Sequence, residues 1–282
     1  MKTVLLTGKS GFIGQNVYPV LKKRFNVLTP TRSELDLRDF ESVTSFFRSH
    51  NIDIVYHCAN PNYTRNSGDK AENMAVDSIR LFLNLYAFRE KYDKMIYLGS
   101  GAEYNKTLEI SNAAECECFR SPPDDDYGFA KYTINRIADK SENIYNLCVF
   151  GCYGAGDDET KFITHCIRCV LRNEPITIRQ DCKFDYIHVS DLARIMAWAG
   201  ENTLKHKMYN ISGCNHAYLS EIADMVRSAM GSKAPIKILS PGYNREYTCN
   251  GERLWQESRL PPPMSLEDGI ALQIKWEKEH FK

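Results

Sequence analysis

The feature that most constrains this chain lies at its start, where a short apolar run from Thr3 leads directly into Thr7-Gly8-Lys9-Ser10-Gly11-Phe12-Ile13-Gly14. Glycines at every third position let a backbone turn tightly, approach a bound pyrophosphate and pack the next helix closely on its sheet. The N-terminus of that helix then faces the phosphates. A glycine triplet alone is a weak signal. Here the strand–turn–helix context that gives it meaning is present.

The pattern continues as alternating β-branched runs and amphipathic stretches, which is how βαβ units feeding a parallel sheet read in sequence. Strands are predicted over 3–6, 26–30, 54–57, 94–98, 145–150 and 184–189, with helices over 13–24, 40–49, 71–91 and 127–141. The helical period is clear in the third helix, with apolar residues at Ile79, Leu81–Leu83 and Tyr86. After Gly151 the pattern loosens. Helices are expected near 161–172, 190–200 and 219–230, and the chain then reaches the cluster Pro261–Pro263. The expected division is a dinucleotide-binding domain over 1–155 and a smaller substrate lobe over 156–282, with 184–200 returning to the first sheet.

Composition narrows the class. The 36 basic and 36 acidic side chains cancel, so no positive field is available to hold a nucleic-acid backbone or an anionic membrane. No apolar stretch approaches the ~20 residues that span a bilayer, and the expected location is the cytoplasm. Ten cysteines suggest disulfides only in short secreted chains. Here several sit in apolar runs, such as Leu147-Cys148-Val149, and read as reduced, buried thiols. Cys116 and Cys118 have no matching His/Cys cluster nearby in sequence, so no metal site is expected.

Two further patterns carry chemistry. In Tyr127-Gly128-Phe129-Ala130-Lys131 the phenol and the ammonium are four residues apart, on one face of a helix. A phenol exchanges protons poorly near neutrality, and a neighbouring ammonium stabilises its phenolate. In Leu98-Gly99-Ser100-Gly101-Ala102-Glu103-Tyr104 a serine stands at a strand end, where its hydroxyl can bind a substrate oxygen that gains charge.

The glycine spacing, the Ser100 and Tyr104 block, Tyr127 with Lys131, and Tyr186-Ile187-His188-Val189-Ser190-Asp191 together resemble the extended short-chain dehydrogenases. These are nucleotide-sugar epimerases, dehydratases and ketoreductases. The resemblance covers nearly the whole chain and implies an α/β Rossmann-type, doubly wound parallel sheet with a smaller C-terminal substrate-binding lobe. It implies catalysis by Ser100, Tyr127 and Lys131. The dinucleotide would be held by Gly8, Ser10, Gly11, Phe12, Ile13 and Gly14, by Arg32, Asp36 and Leu37, by Cys58 and Ala59, and by Lys131 on the nicotinamide ribose. Members that prefer NAD place an acid at the second strand end. Here Arg32 stands there, as in the GDP-fucose synthases, where an arginine supports a 2′-phosphate. The expectation is therefore NADP(H), with NAD(H) still open.

Departures from the family narrow the reaction. The acid pair of the 4,6-dehydratases is replaced by Gly101 and Ala102, and the cysteine that some reductases use to move protons beside the ketone also falls at Ala102. Glu103 is one place off and, by strand alternation, should point away from the site. What remains suffices for ketone reduction or for carbon-4 epimerisation by transient oxidation. A non-catalytic dinucleotide sensor is the third reading, although such relatives typically lose the Tyr and Lys kept here. For the substrate diphosphate the resemblance nominates His165, and the cations Arg179, Lys183, Arg245 and Arg253 offer charge pairing. Family members commonly form homodimers through the helices corresponding to 71–91 and 127–141.

Overall fold

The computed structural model describes residues 1–61 and 73–281. They form two compact units. One comprises Met1–Thr107, Glu115–Val149 and Ala193–Tyr209; the other comprises Leu108–Ala114, Phe150–Leu192 and Asn210–Lys282.

The first unit alternates β1 (Thr3–Thr7), α1 (Phe12–Leu21), β2 (Asn26–Leu28), α2 (Phe40–Ser49), β3 (Ile54–His57), α3 (Met74–Tyr86), β4 (Lys94–Ser100) and α4 (Asp126–Asp139). Its sheet has the order Met208–Ile211, Ile144–Val149, β4, β3, β1, β2. The ladders from β2 through to Ile144–Val149 are all parallel. A parallel strand covered on both faces must be apolar on both, and every residue of β3 is buried. One core cluster joins Leu5, Val55 and Met95 of the strands to Val43, Phe47, Phe82 and Ile134 of the helices.

The predicted strands and helices of this unit form, with ends displaced by a few residues. The helix predicted over 71–91 differs most. Residues 71 and 72 lie outside the described ones, α3 closes at Tyr86, and a single 3-10 turn follows at Arg89–Lys91. Between the two, Phe88 turns its ring onto Phe47, with centres 4.8 Å apart, and that packing takes the chain off the helical path.

The second unit is built on a sheet ordered Asn215–Tyr218, Lys183–His188, Tyr247–Cys249, Ile110–Ala113, with Cys152–Tyr153 also pairing Lys183–His188. Ile176–Ile178 and Ile236–Ile238 pair separately. The strand expected at 184–189 thus forms at Lys183–His188 but does not return to the parallel sheet, and Met208–Ile211 completes that sheet instead. The correction has a physical reason. Alternation marks a strand but not its partner, and here the partner is the antiparallel Asn215–Tyr218, with Tyr186 opposite Asn215.

Two C-terminal helices, Glu252–Ser258 and Leu266–His280, flank the proline cluster. Ser265 caps the second by accepting the Asp268 amide at 3.1 Å. Its charged residues hide a buried edge of Leu266, Ile270 and Ile274. Among the described residues no helix is long and apolar enough to cross a membrane.

Candidate active site

The glycine loop closes as its spacing predicts. Gly8 adopts φ +70°, and the Gly11 amide donates to the Gly8 carbonyl at 3.0 Å. A Cβ on Gly14 would lie 2.1 Å from the Gly8 oxygen, so α1 packs against the loop only without a side chain there. α1 starts from Gly11 with no side-chain cap, leaving its first amides to an external acceptor. Beside it a groove of about 700 Å³ is lined by Gly8, Ser10, Gly11, Arg32, Asp36, Leu37, Cys58 and Ala59, among others. A cradle that excludes side chains, below uncapped amides, fits a dinucleotide pyrophosphate.

Phe12, Ile13 and Gly14 form the first turn of α1 rather than lining the groove, and Lys131, on α4, is not among its lining residues although its charge acts on Cys58, which is. The lining also includes Thr7, Lys9, Arg38 and Asn60, which the sequence reading left out. Arg38 and Asn60 directly follow Leu37 and Ala59, so adjacency was the available signal. Thr7 Oγ1 accepts the Ala59 amide at 3.1 Å and meets His57 Nδ1 at 3.0 Å, tying β1 to the end of β3. The Arg32 side chain is 64% exposed, with its Nε 3.8 Å from the Asp36 carboxylate. A pair so open to water contributes little to stability and leaves the guanidinium available to the groove.

Ser100, Tyr127 and Lys131 come together in the first unit. Ser100 ends β4 and Tyr127 opens α4, whose N-cap Asp125 accepts the Gly128 amide at 2.9 Å. The Tyr127 phenol lies close enough to the Ser100 hydroxyl for that group to lower its pKa, while burial raises it more strongly. Lys131, four residues on, places Nζ 6.0 Å from the Tyr127 ring centre and donates to the Leu98 carbonyl at 2.8 Å. Burial lowers the lysine's pKa. His57, desolvated and facing Lys131, is pushed down to about 3 and stays neutral, while burial pushes the Cys58 thiol up to about 12. A hydroxyl pair beside a buried ammonium can bind an oxygen and pass it one proton.

Glu103 stays close enough for its charge to act on Tyr127 and Lys131, and strand alternation does not place it. The strand ends at Ser100, and Gly101–Glu103 form a 3-10 turn that tucks the carboxylate under it. Its Oε1 accepts the Ser100 amide at 2.9 Å, and its Oε2 accepts from Asn135 and Asn146 at 2.8 Å each.

The nominated substrate residues all belong to the second unit. His165 is half-buried on the helix Phe162–Leu171, with Nε2 3.4 Å from Cys169 Sγ. Arg179 and Arg245 are exposed; Lys183 and Arg253 are half-buried. None of these lines the groove of about 470 Å³ that this unit carries between Asn112, His216, Cys249 and Trp255. Among the described residues no three His, Cys, Asp or Glu side chains could hold a metal ion. Cys116 is exposed, whereas Cys118 is buried and 3.9 Å from Glu103 Oε2.

The parallel sheet, its glycine cradle and the Ser–Tyr–Lys set define an NAD(P)-binding Rossmann-type protein. Residues 4–212 match the NAD dependent epimerase/dehydratase family, and the chain belongs to that family. It is 26% identical over 224 residues to a GDP-L-fucose synthase of Azorhizobium caulinodans, covering 71% of each chain. Its fold superposes with TM-score 0.84 on a UDP-glucose 4-epimerase of Thermotoga maritima, at 20% identity, covering 99% of this chain and 100% of that one. A GDP-mannoheptose C4 reductase of Campylobacter jejuni with NADP bound gives TM-score 0.82 at 19% identity, covering 98% of each chain.

Proposed function

We propose that the protein is an NADP(H)-dependent reductase of a 4-keto, 6-deoxy nucleoside-diphosphate sugar. The observation that carries this reading is the Ser100–Tyr127–Lys131 set at the end of β4 and the start of α4. Gly101 and Ala102 bring no proton-transferring group, and the carboxylate of Glu103 is engaged by the Ser100 amide, Asn135, Asn146 and the Cys118 thiol. Such a site can deliver a hydride from the cofactor and a proton from Tyr127 to one carbonyl, and it lacks the groups that eliminate water. Ser100 binds the carbonyl oxygen, Tyr127 supplies the proton, and Lys131 holds the ribose and stabilises the phenolate.

The first unit is the cofactor domain in this reading. The second is the substrate lobe, where His165, Arg179, Lys183 and Arg245 are the candidates for the diphosphate. α3 and α4 are the candidate homodimer helices. The similarity to a UDP-glucose 4-epimerase favours one alternative, a carbon-4 epimerase that oxidises and re-reduces its sugar on a retained cofactor.

Incubation with a panel of 4-keto-6-deoxy nucleotide sugars, following NADPH and NADH absorbance, separates the two. A reductase consumes cofactor in proportion to product. An epimerase interconverts nucleotide sugars with no net change in absorbance, and that outcome would replace the reductase reading.

Arg32 carries the cofactor preference. If it meets a 2′-phosphate, NADPH binds more tightly than NADH by roughly 10- to 150-fold, the value of one charge-assisted contact. Arg32→Ala is expected to erase most of that difference, and added salt to shrink it. Fluorescence titration of both cofactors checks this, and equal affinities unchanged in the variant would assign Arg32 to the surface.

A further inference from the structure

Beneath the reacting groups lies a carboxylate that hydride transfer does not itself use. Glu103 is 0% exposed, and its nitrogen donors come from three elements: the Ser100 amide at the end of β4, Asn135 on α4 and Asn146 on the strand Ile144–Val149, with the Cys118 thiol a longer fourth donor at 3.9 Å. Asn135 follows Lys131 by one helical turn, so carboxylate and ammonium share a face of α4. Ser100 Oγ in turn accepts the Ala102 amide at 3.2 Å, closing a capping box with Glu103. Space for this arrangement exists because residue 99 is glycine. A Cβ there would fall 2.3 Å from Glu103 Oε1 and 2.0 Å from Asn146 Oδ1.

We propose that Glu103 is a positioning residue: it fixes Ser100 and α4 relative to one another, and its buried negative charge keeps Lys131 protonated. The proposal rests on the roles given above to Ser100, Tyr127 and Lys131.

The charge argument depends on what else faces these groups. Lys131 is faced by His57 and Cys58 at the end of β3, by Cys148 of the strand Ile144–Val149, and by Glu103; its own helix contributes Tyr127. Glu103 is faced by Lys131, by Tyr97 of β4 and by Cys118, which Arg136 also faces. Tyr127 is faced by Glu103 itself, by Cys148 and by Asp125, so the Lys131 signal, which reports the ammonium directly, and not the rate alone, decides the charge role. His57 is neutral, and burial raises the Cys58, Cys118 and Tyr97 groups. Among the described residues the Glu103 carboxylate is therefore the counter-charge that acts on Lys131. Burial pulls the lysine's pKa down and the glutamate's up, and each charge partly restrains the other's shift. Removing the carboxylate leaves the downward pull on Lys131 unopposed, so the ammonium is lost at lower pH and the alkaline limb of turnover moves down with it.

The test is carbon NMR of the NADPH-bound protein labelled at lysine and glutamate, with Lys131 assigned by its absence in Lys131→Met and Glu103 by its absence in Glu103→Gln. In the wild type the Glu103 carboxyl is expected to titrate above the ordinary carboxylates, and the Lys131 signal to show an inflection at the same pH. In Glu103→Gln the Lys131 midpoint should fall by roughly one pH unit or more, the effect of one opposite charge at close range. The alkaline limb of kcat for whichever 4-keto sugar is reduced should fall equally, with the KM for NADPH little changed.

An unmoved Lys131 midpoint in a folded, active variant overturns the proposal. Should the glutamine variant fail to fold, the wild-type Lys131 signal, assigned through Lys131→Met, decides: an inflection above the ordinary carboxylate range supports the proposal, and its absence overturns it. A shifted Lys131 midpoint in a protein that reduces none of the sugars supports the charge role of Glu103 and counts against the reductase reading instead.

Discussion

Tyr127→Phe is expected to lower turnover by roughly 10²–10⁴-fold, the usual contribution of one positioned proton donor, while NADPH affinity stays close to wild type. The ring that packs at the start of α4 is retained, and only the hydroxyl that meets Ser100 is removed. Steady-state rates and fluorescence titration of NADPH on the same preparation distinguish loss of chemistry from loss of binding. Activity within a few-fold of wild type would remove Tyr127 from the proposed mechanism. Lys131→Met provides the contrast, since a residue that both holds the ribose and stabilises the phenolate should weaken cofactor binding and turnover together.

The second large effect is expected from Gly14→Ala. The added Cβ meets backbone, not a movable side chain: the Gly8 oxygen at 2.1 Å and Lys9 Cα at 2.7 Å. The loop or the start of α1 must shift, and overpacking of this kind costs about 1–3 kcal/mol. Because the displaced atoms are the phosphate cradle itself, NADPH affinity should fall by roughly 5- to 150-fold, alongside a lower melting temperature. Fluorescence titration and a thermal melt check both. Binding as tight as wild type in a folded variant would show that the loop does not hold the dinucleotide as described.

The shared face of Tyr127 and Lys131 was legible in the sequence because it depends on a short spacing. Four residues on a helix place phenol and ammonium on one face wherever that helix lies, and a glycine triplet after a strand dictates its own turn. The α/β alternation of the first unit was legible for a related reason: strands covered on both faces must be apolar throughout, and that leaves a strong local mark.

The second unit was less so. Strands such as Asn215–Tyr218 and Tyr247–Cys249 are short and mixed in polarity, and the buried edge of Leu266–His280 lies among charged residues.

By itself, then, the sequence determined the glycine loop, the Tyr–Lys face of α4 and the alternating core of the first unit, since each follows from contacts within a few residues. Tertiary structure alone decided which sheet received Lys183–His188, because strand partners are chosen across the chain. It also decided what Glu103 does. Strand alternation alone would point that carboxylate away from the site, but β4, α4 and the strand Ile144–Val149 bring nitrogen donors around it, and only that convergence makes a buried charge tolerable.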